Sequence, residues 1–406
     1  LSLAPIAAEE VGNRISSANE FYEKLGGDGN GGVDLNANYS LACNIDLTDY
    51  RDSSNQPVTT GWVGPSGYQG HFYGNGYTIT GLVLDVSYFS GSNNKAGLFK
   101  SLGDGAVLEN FTLEVSTPNN QPTVAPRSGY FGGLLAYISD ATVGITVQDV
   151  KVKGNLKIAC APSAYLILFG GFFGEARDFK SITMIRCSSE VNIEAEHCYG
   201  PVGGFVGRMY SGSDNGSLSF TDCYASGNVT ANTTSYAIAG GFIGDVNGST
   251  LTMAVTFERC YASGNVEVTA GANSYAGGFI GGVPTASGCR NLYFTIKDCA
   301  AVGTKAIVSP STGYGRLAGY ANDANNTITF TNNIANAAMQ VGDGSTHTDD
   351  GDDAQGITKW GKGVANDTNG LRKITTWTAA APTGLGWSTD TWDFSGLSQG
   401  KWPTLK

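Results

Sequence analysis

One phrase recurs four times in this chain. Gly171-Phe172-Phe173-Gly174 returns as Gly204-Phe205-Val206-Gly207, Gly241-Phe242-Ile243-Gly244 and Gly278-Phe279-Ile280-Gly281, with first glycines 33, 37 and 37 residues apart. A second phrase keeps step: Asp222-Cys223-Tyr224-Ala225-Ser226-Gly227-Asn228-Val229 is followed 37 residues later by Arg259-Cys260-Tyr261-Ala262-Ser263-Gly264-Asn265-Val266. Two phrases locked to one period predict a solenoid, in which each repeat packs only on its neighbours. The phrases are separated by short runs of strand character broken at Gly or Asn. No ten-residue segment between them carries a helical apolar period, which disfavours leucine-rich and ankyrin-type repeats. What remains is an all-β parallel β-helix, about one coil per repeat of roughly 37 residues, with coils stacked about 4.8 Å apart.

Composition fits that reading. Charged residues make up 15% of the 406, below the usual quarter. Glycine supplies 58 residues, about twice its ordinary share, without a collagen period. Lys+Arg minus Asp+Glu is 24 − 35 = −11, and the basic residues are scattered. Nucleic acid and anionic membrane surfaces are therefore disfavoured as partners. No apolar run approaches the roughly 18 residues of a membrane span. The chain begins at Leu1 without Met, which fits a processed or trimmed N-terminus.

Of the eight cysteines, six fall into two groups and Cys43 and Cys289 stand apart. Cys187, Cys223, Cys260 and Cys299 fall once per repeat. Aligned on them, one column reads Phe111, Val150, Cys187, Cys223, Cys260, Cys299, Asn333. The column three residues earlier reads Leu108, Val147, Met184, Phe220, Phe257, Ile296, Phe330. Both are nearly all apolar, so these cysteines are expected to act as small buried hydrophobes. Asn333 breaks the pattern, as though the last coil loses its core there. No CxxC pair is present and no zinc site is expected. Cys160 and Cys198 fall late in successive repeats, where stacking could bring them close enough to bridge; sequence alone leaves the bridge open.

Three segments are expected. Residues 1–38 form an N-terminal cap, in which Ser17-Ala18-Asn19-Glu20 reads as a capping box ahead of a helix near 17–25. Residues 39–345 form the β-helix, starting with alternation over Tyr39–Leu47 and a Gly74-Asn75-Gly76 turn. Residues 346–406 form a C-terminal cap packed over the last coil, because Trp360, Trp377, Trp387, Trp392 and Trp402 all fall there.

The phrases together resemble the GLUG motif, a repeat of bacterial surface and secreted proteins. Tyr39–Leu47 resembles a segment that often precedes such repeats, Phe72–Leu82 one that follows it, and Trp392-Asp393-Phe394 with Trp402-Pro403-Thr404-Leu405-Lys406 a common ending. The resemblance covers about residues 39–406. Gly97-Leu98-Phe99-Lys100 and Leu317-Ala318-Gly319 depart from the phrase at either end of the array. The resemblance implies a right-handed parallel β-helix on the bacterial exterior, adhesin-like, with no catalytic residues to carry over.

Residues with chemistry are few. The position before the cysteine column reads Asn110, Asp149, Arg186, Asp222, Arg259, Asp298, Asn332. Alternating signs suggest a surface charge ladder and not a catalytic acid cluster. His71, His197 and His347 are scattered, and Asp349, Asp350, Asp352 and Asp353 lack the spacing of a calcium loop. Tyr224 and Tyr261 each follow an inward cysteine, so alternation turns them outward, one above the other. They are the candidate ligand-binding residues: exposed aromatics able to dock a sugar or a protein. No catalytic residue, metal ligand or cofactor is expected. The chain reads as a non-enzymatic exported protein of the cell surface or extracellular space, binding a glycan or a host or bacterial surface protein. The alternatives are a polysaccharide-active lyase or hydrolase, or its carbohydrate-binding module, and a structural spacer.

Overall fold

The computed structural model describes residues 13–406 except 27–32, 52–54, 56–61, 88, 92–93, 119–122, 127, 162–165, 212–215, 249–251, 272, 284–290, 311–312, 322–325 and 347–359. Cys289, His347 and the acidic run 349–353 lie outside the described residues.

The chain winds into a parallel β-helix of about seven turns. One coil illustrates the rest. Strands Gly200–Gly203, Val206–Ser211, Gly216–Thr221, Tyr224–Ala225 and Val229–Asn232 follow one another around the axis. Each pairs in parallel with its counterpart a coil later: Gly203↔Gly240, Val206↔Ile243, Leu218↔Val255, Tyr224↔Tyr261 and Val229↔Val266. The strand that opens each coil contributes to a separate seven-stranded sheet, from Asn94–Ala96 to Gly313–Gly315.

The repeated phrase is the corner after that opening strand. A side chain on Gly171, Gly204, Gly241 or Gly278 would place its Cβ 2.1–2.3 Å from a carbonyl oxygen of the next coil, so backbone approach alone demands glycine there. The phenylalanines between the glycines point inward and stack. Phe172–Phe205, Phe205–Phe242 and Phe242–Phe279 centroids are 4.4, 4.7 and 5.0 Å apart. Phe220 and Phe257 form a second stack at 4.8 Å and meet the first edge-on. Parallel stacks crossed at right angles fill the core with favourable ring geometry.

The column before the cysteines is registered strand to strand, as Leu108↔Val147, Val147↔Met184 and Met184↔Phe220 exemplify, and the cysteine column begins with Phe111↔Val150. The four cysteines are fully buried and free. Asn333 does not mark a lost core. It is buried, its Oδ1 accepts from Cys299 N at 2.9 Å, and its Nδ2 donates to Ile296 O at 2.9 Å. The amide oxygen takes the place held by sulfur one coil earlier, where Cys260 N points at Cys299 Sγ at 3.3 Å. Cys160 and Cys198, 5.1 Å apart at Cα, are joined as a disulfide.

At the N-terminal end a helix runs Ala18–Leu25, with Ser17 Oγ accepting from Glu20 N. Glu20 reaches Ser16 N instead of the cap residue's own amide, so half of the capping box forms. Phe21 of this helix packs on Trp62 and Phe72. The stretch 39–47 carries two strands, Tyr39–Leu41 and Ile45–Asp46, and not one continuous strand.

At the other end Lys362–Val364 pairs with Ile334–Asn336 and extends the last coil. The Trp-rich segment then leaves the end of the solenoid and runs back along its flank. Trp387 Nε1 donates to Asp298 O at 2.8 Å, Trp392 Nε1 to Asp222 Oδ1 at 3.1 Å, and Tyr261 Oη to Pro403 O at 2.6 Å. It is a strap across several coils as well as a closure of the final one.

Candidate functional site

Tyr224 and Tyr261 sit where strand alternation puts them, directed away from the core and stacked at 5.0 Å with ring planes 6° apart. The expectation that they are exposed is corrected: each is 1% accessible. The strap covers them, with Trp392 6.2 Å from Tyr224 and Trp377, Trp387 and Trp392 within 6.2 Å of Tyr261. Burial pushes both phenols far above their ordinary pKa. Tyr224 Oη donates to Glu190 Oε1. The pair anchors the strap and offers no ring face to a ligand.

The charged column lies at a corner of each coil. Asn110, Asp149, Arg186, Asp222, Arg259, Asp298 and Asn332 all have φ between 48° and 57°, a left-handed turn unusual for arginine. Salt bridges link neighbouring rungs: Arg186 to Asp149 through two contacts of 2.6 Å, and Arg259 to Asp222 at 2.8 and 3.1 Å. Every acid in the series has a cationic or amide neighbour, as a structural ladder requires.

The histidines do not converge. His197 is exposed. His71 stacks on Tyr73 at 3.5 Å, with Nε2 3.2 Å from Glu109 Oε1 but poorly aligned for a hydrogen bond. Burial lowers its pKa to about 4, so the imidazole is neutral near pH 7. Among the described residues, no three His, Cys, Asp or Glu side chains gather to hold a metal.

The groove lies elsewhere, on the outer side of the glycine corner. The opening strand and the strand after the repeated phrase meet there, and their outward side chains form two walls. On the first wall Tyr199 pairs above Tyr236, and Pro201, Ile238 and Tyr275 follow in register. On the second, the position after each phrase reads Glu175, Arg208, Asp245, Gly282, Tyr320, again in register. Two residues further on come Arg177, Tyr210 and Asn247. A cavity of about 660 Å³ opens between the walls, lined by Arg208, Asp245, Asn247, Tyr236, Tyr275 and neighbouring backbone and hydroxyl groups of Thr234 and Ser235.

Electrostatically the groove floor is one column. Arg208 reaches Glu175 Oε1 with Nε at 2.7 Å and Nη2 at 2.5 Å. Glu175 is fully buried, and its Oε2 has no hydrogen-bond partner among the described residues. Burial raises its pKa, opposed by the charge and hydrogen bond of Arg208. Arg177 and Arg208 both lie over the Tyr210 ring, at 4.8 and 5.4 Å. Asp245 stands one rung beyond Arg208 and is 3% accessible. Two carboxyls about 10 Å apart, at roughly 4.8 Å per rung, would suit acid and base roles in an inverting hydrolase only if both met substrate. Glu175, sealed behind Arg208, does not. The groove's described lining joins one carboxylate, Asp245, with the half-buried phenols of Tyr236 and Tyr275, whose pKa values burial raises.

The residues that sequence reasoning missed had a signal. A tyrosine precedes the glycine phrase in consecutive repeats, at 199, 236 and 275, and the position after the phrase is charged in three consecutive repeats, at 175, 208 and 245.

No protein-family model and no curated protein matches the chain. Among solved structures it is similar to a chain from Bacteroides ovatus described as a "putative immunoglobulin A1 protease". The TM-score is 0.53 and the identity 15%, over 97% of this chain and 91% of that one. At that identity the likeness supports the β-helix fold alone.

Proposed function

We propose that this protein is a non-enzymatic, exported bacterial surface protein that binds a glycan or a surface protein through the side of its solenoid. The observation that carries the reading is the groove: a cavity of about 660 Å³ with aromatic, amide and hydroxyl groups converging from two walls. Such a cavity, mostly preformed and with a few directed polar groups, is the ordinary form of a binding site. A pure spacer needs no such feature. The Cys160–Cys198 disulfide fits an oxidising compartment, and the GLUG-like phrases point to the same exterior setting. The arrangement disfavours a lyase or hydrolase because Asp245 is the one carboxylate among the groove's described lining residues.

A glycan array run beside a polysaccharide-degradation screen tests the reading. Retention of a glycan, or of an intact surface protein, without release of reducing or unsaturated sugar is the expected result. Sugar release by the purified chain that falls with Asp245→Asn would make the protein an enzyme and overturn it.

A further inference from the structure

We infer that the groove selects an uncharged, hydroxyl-rich polymer, a neutral polysaccharide lying along the solenoid axis. This rests on the binding reading above and narrows it to a ligand class.

Charge argues first. The charged groups lining the cavity are Arg208 and Asp245, whose formal charges cancel. Arg208 already gives Nε and Nη2 to Glu175. Its fork is therefore occupied and is no ready clamp for a ligand carboxylate or sulfate. An acidic polymer would also meet Asp245 and a chain of net charge −11. A basic polymer would meet the guanidiniums of Arg208 and, beside it, Arg177. A neutral chain incurs neither penalty.

Chemistry argues second. Thr234 and Ser235 bring hydroxyls, which both donate and accept, and Asn247 an amide whose Oδ1 also accepts from Gly248 N at 2.8 Å, a set that suits sugar hydroxyls. Tyr236 and Tyr275 add half-buried rings to the opposite wall, and the apolar face of a sugar ring packs on such surfaces.

Shape argues third. The walls repeat at about 4.8 Å per rung, close to the rise of one sugar unit in an extended glycan. Aromatic pairs close both ends of the second wall's column: Tyr130 with Tyr137 at 4.3 Å, and Tyr275 with Tyr320 at 4.9 Å. The cavity lining runs over three rungs, from Pro201 and Arg208 through Ile238 and Asp245 to Tyr275, or about 10 Å between the outer two. A short run of a chain, more than a single sugar, matches that length.

The test is isothermal titration of the full chain with neutral glucan, mannan and galactan and with acidic polygalacturonate and hyaluronan. Alongside run Tyr275→Ala, Tyr275→Phe and Asn247→Ala, each checked for its β-sheet circular dichroism. Tyr293→Ala, an exposed ring outside the groove lining, is the control. The expected result is binding of a neutral polymer, weakened about tenfold by Tyr275→Ala, nearly kept by Tyr275→Phe and unchanged by Tyr293→Ala. Preference for an acidic polymer lost in the same groove variants would overturn the ligand class and leave the binding reading standing. Neutral-polymer binding indifferent to the groove variants would overturn the site. Failure to bind any polysaccharide while a surface protein is retained would overturn this inference alone; failure to bind either would overturn both.

Discussion

Glu175 is a carboxyl without solvent, held on one oxygen by Arg208. Burial raises its pKa more than the arginine lowers it, so the folded chain holds this proton more firmly than the unfolded chain. Its contribution to stability is then complete below the unfolded carboxylate pKa and is lost as pH rises through the folded one. Glu175→Gln keeps the shape and removes the titration. In urea unfolding from about pH 4 to about pH 8, variant stability should gain on the parent as pH rises, by about 1.4 kcal/mol for each pH unit between the unfolded and folded pKa. A variant that loses ground with rising pH would mean that the ion pair outweighs desolvation. Little of this was legible in the sequence, because an alignment anchored on cysteine never places Glu175, Arg208 and Asp245 in one column. Asn333 misled for a related reason. Its type signals a polar end to the core, whereas the oxygen and nitrogen of its one amide satisfy a buried N–H and a buried C=O that sulfur or nothing would otherwise face. Residue identity carries polarity; the fold supplies the partners.

The corner element was the most legible part of the chain, and its physical cause is now specific. Each first glycine of the phrase lies under a carbonyl of the next coil, and Gly241 would bring a Cβ to 2.2 Å from Gly278 O and 3.0 Å from Ala262 Cβ. Gly241→Ala should therefore cost about 1–3 kcal/mol or more, the range for overpacking a filled interior. Because each coil touches only its neighbours, the loss should appear as a broadened or split urea transition, not a uniform shift. A single sharp transition at the parental midpoint would show that the corner has room. The opposite corner, where Asp149, Arg186, Asp222 and Arg259 turn left-handed, was visible as alternating charge but not as a turn. Strand spacing cannot distinguish a charged residue on a flat ladder from one at a bend. The paired tyrosines were placed correctly by alternation and wrongly as to solvent. Alternation gives direction and says nothing of a cover contributed by Pro403, 142 positions from Tyr261, and by Trp392 beside both rings.

Across the whole molecule, the main core and the strap's core are distinct clusters, the second built from Tyr224, Tyr261, Ala300 and Ile334 under Leu371, Trp377, Trp387 and Trp392. Truncation after Val364 should leave the β-helix wound while uncovering both tyrosines. The expected signature is retained β-sheet circular dichroism, new binding of a hydrophobic dye, and a loss of roughly 3–6 kcal/mol for two large buried rings. Collapse of the β-sheet signal would mean that the solenoid does not stand without its strap. The strap also changes how the molecule meets force. A bare solenoid pulled from its C-terminal end unravels one rung at a time, each rung resisting alone. Here the returning chain grips rungs from Asp222 to Asp298 through Trp392 and Trp387. Tension on the last residues is shared along the flank and loads several coils in shear together, so the end of the chain behaves less like the tail of a zip than like the latch that holds it shut.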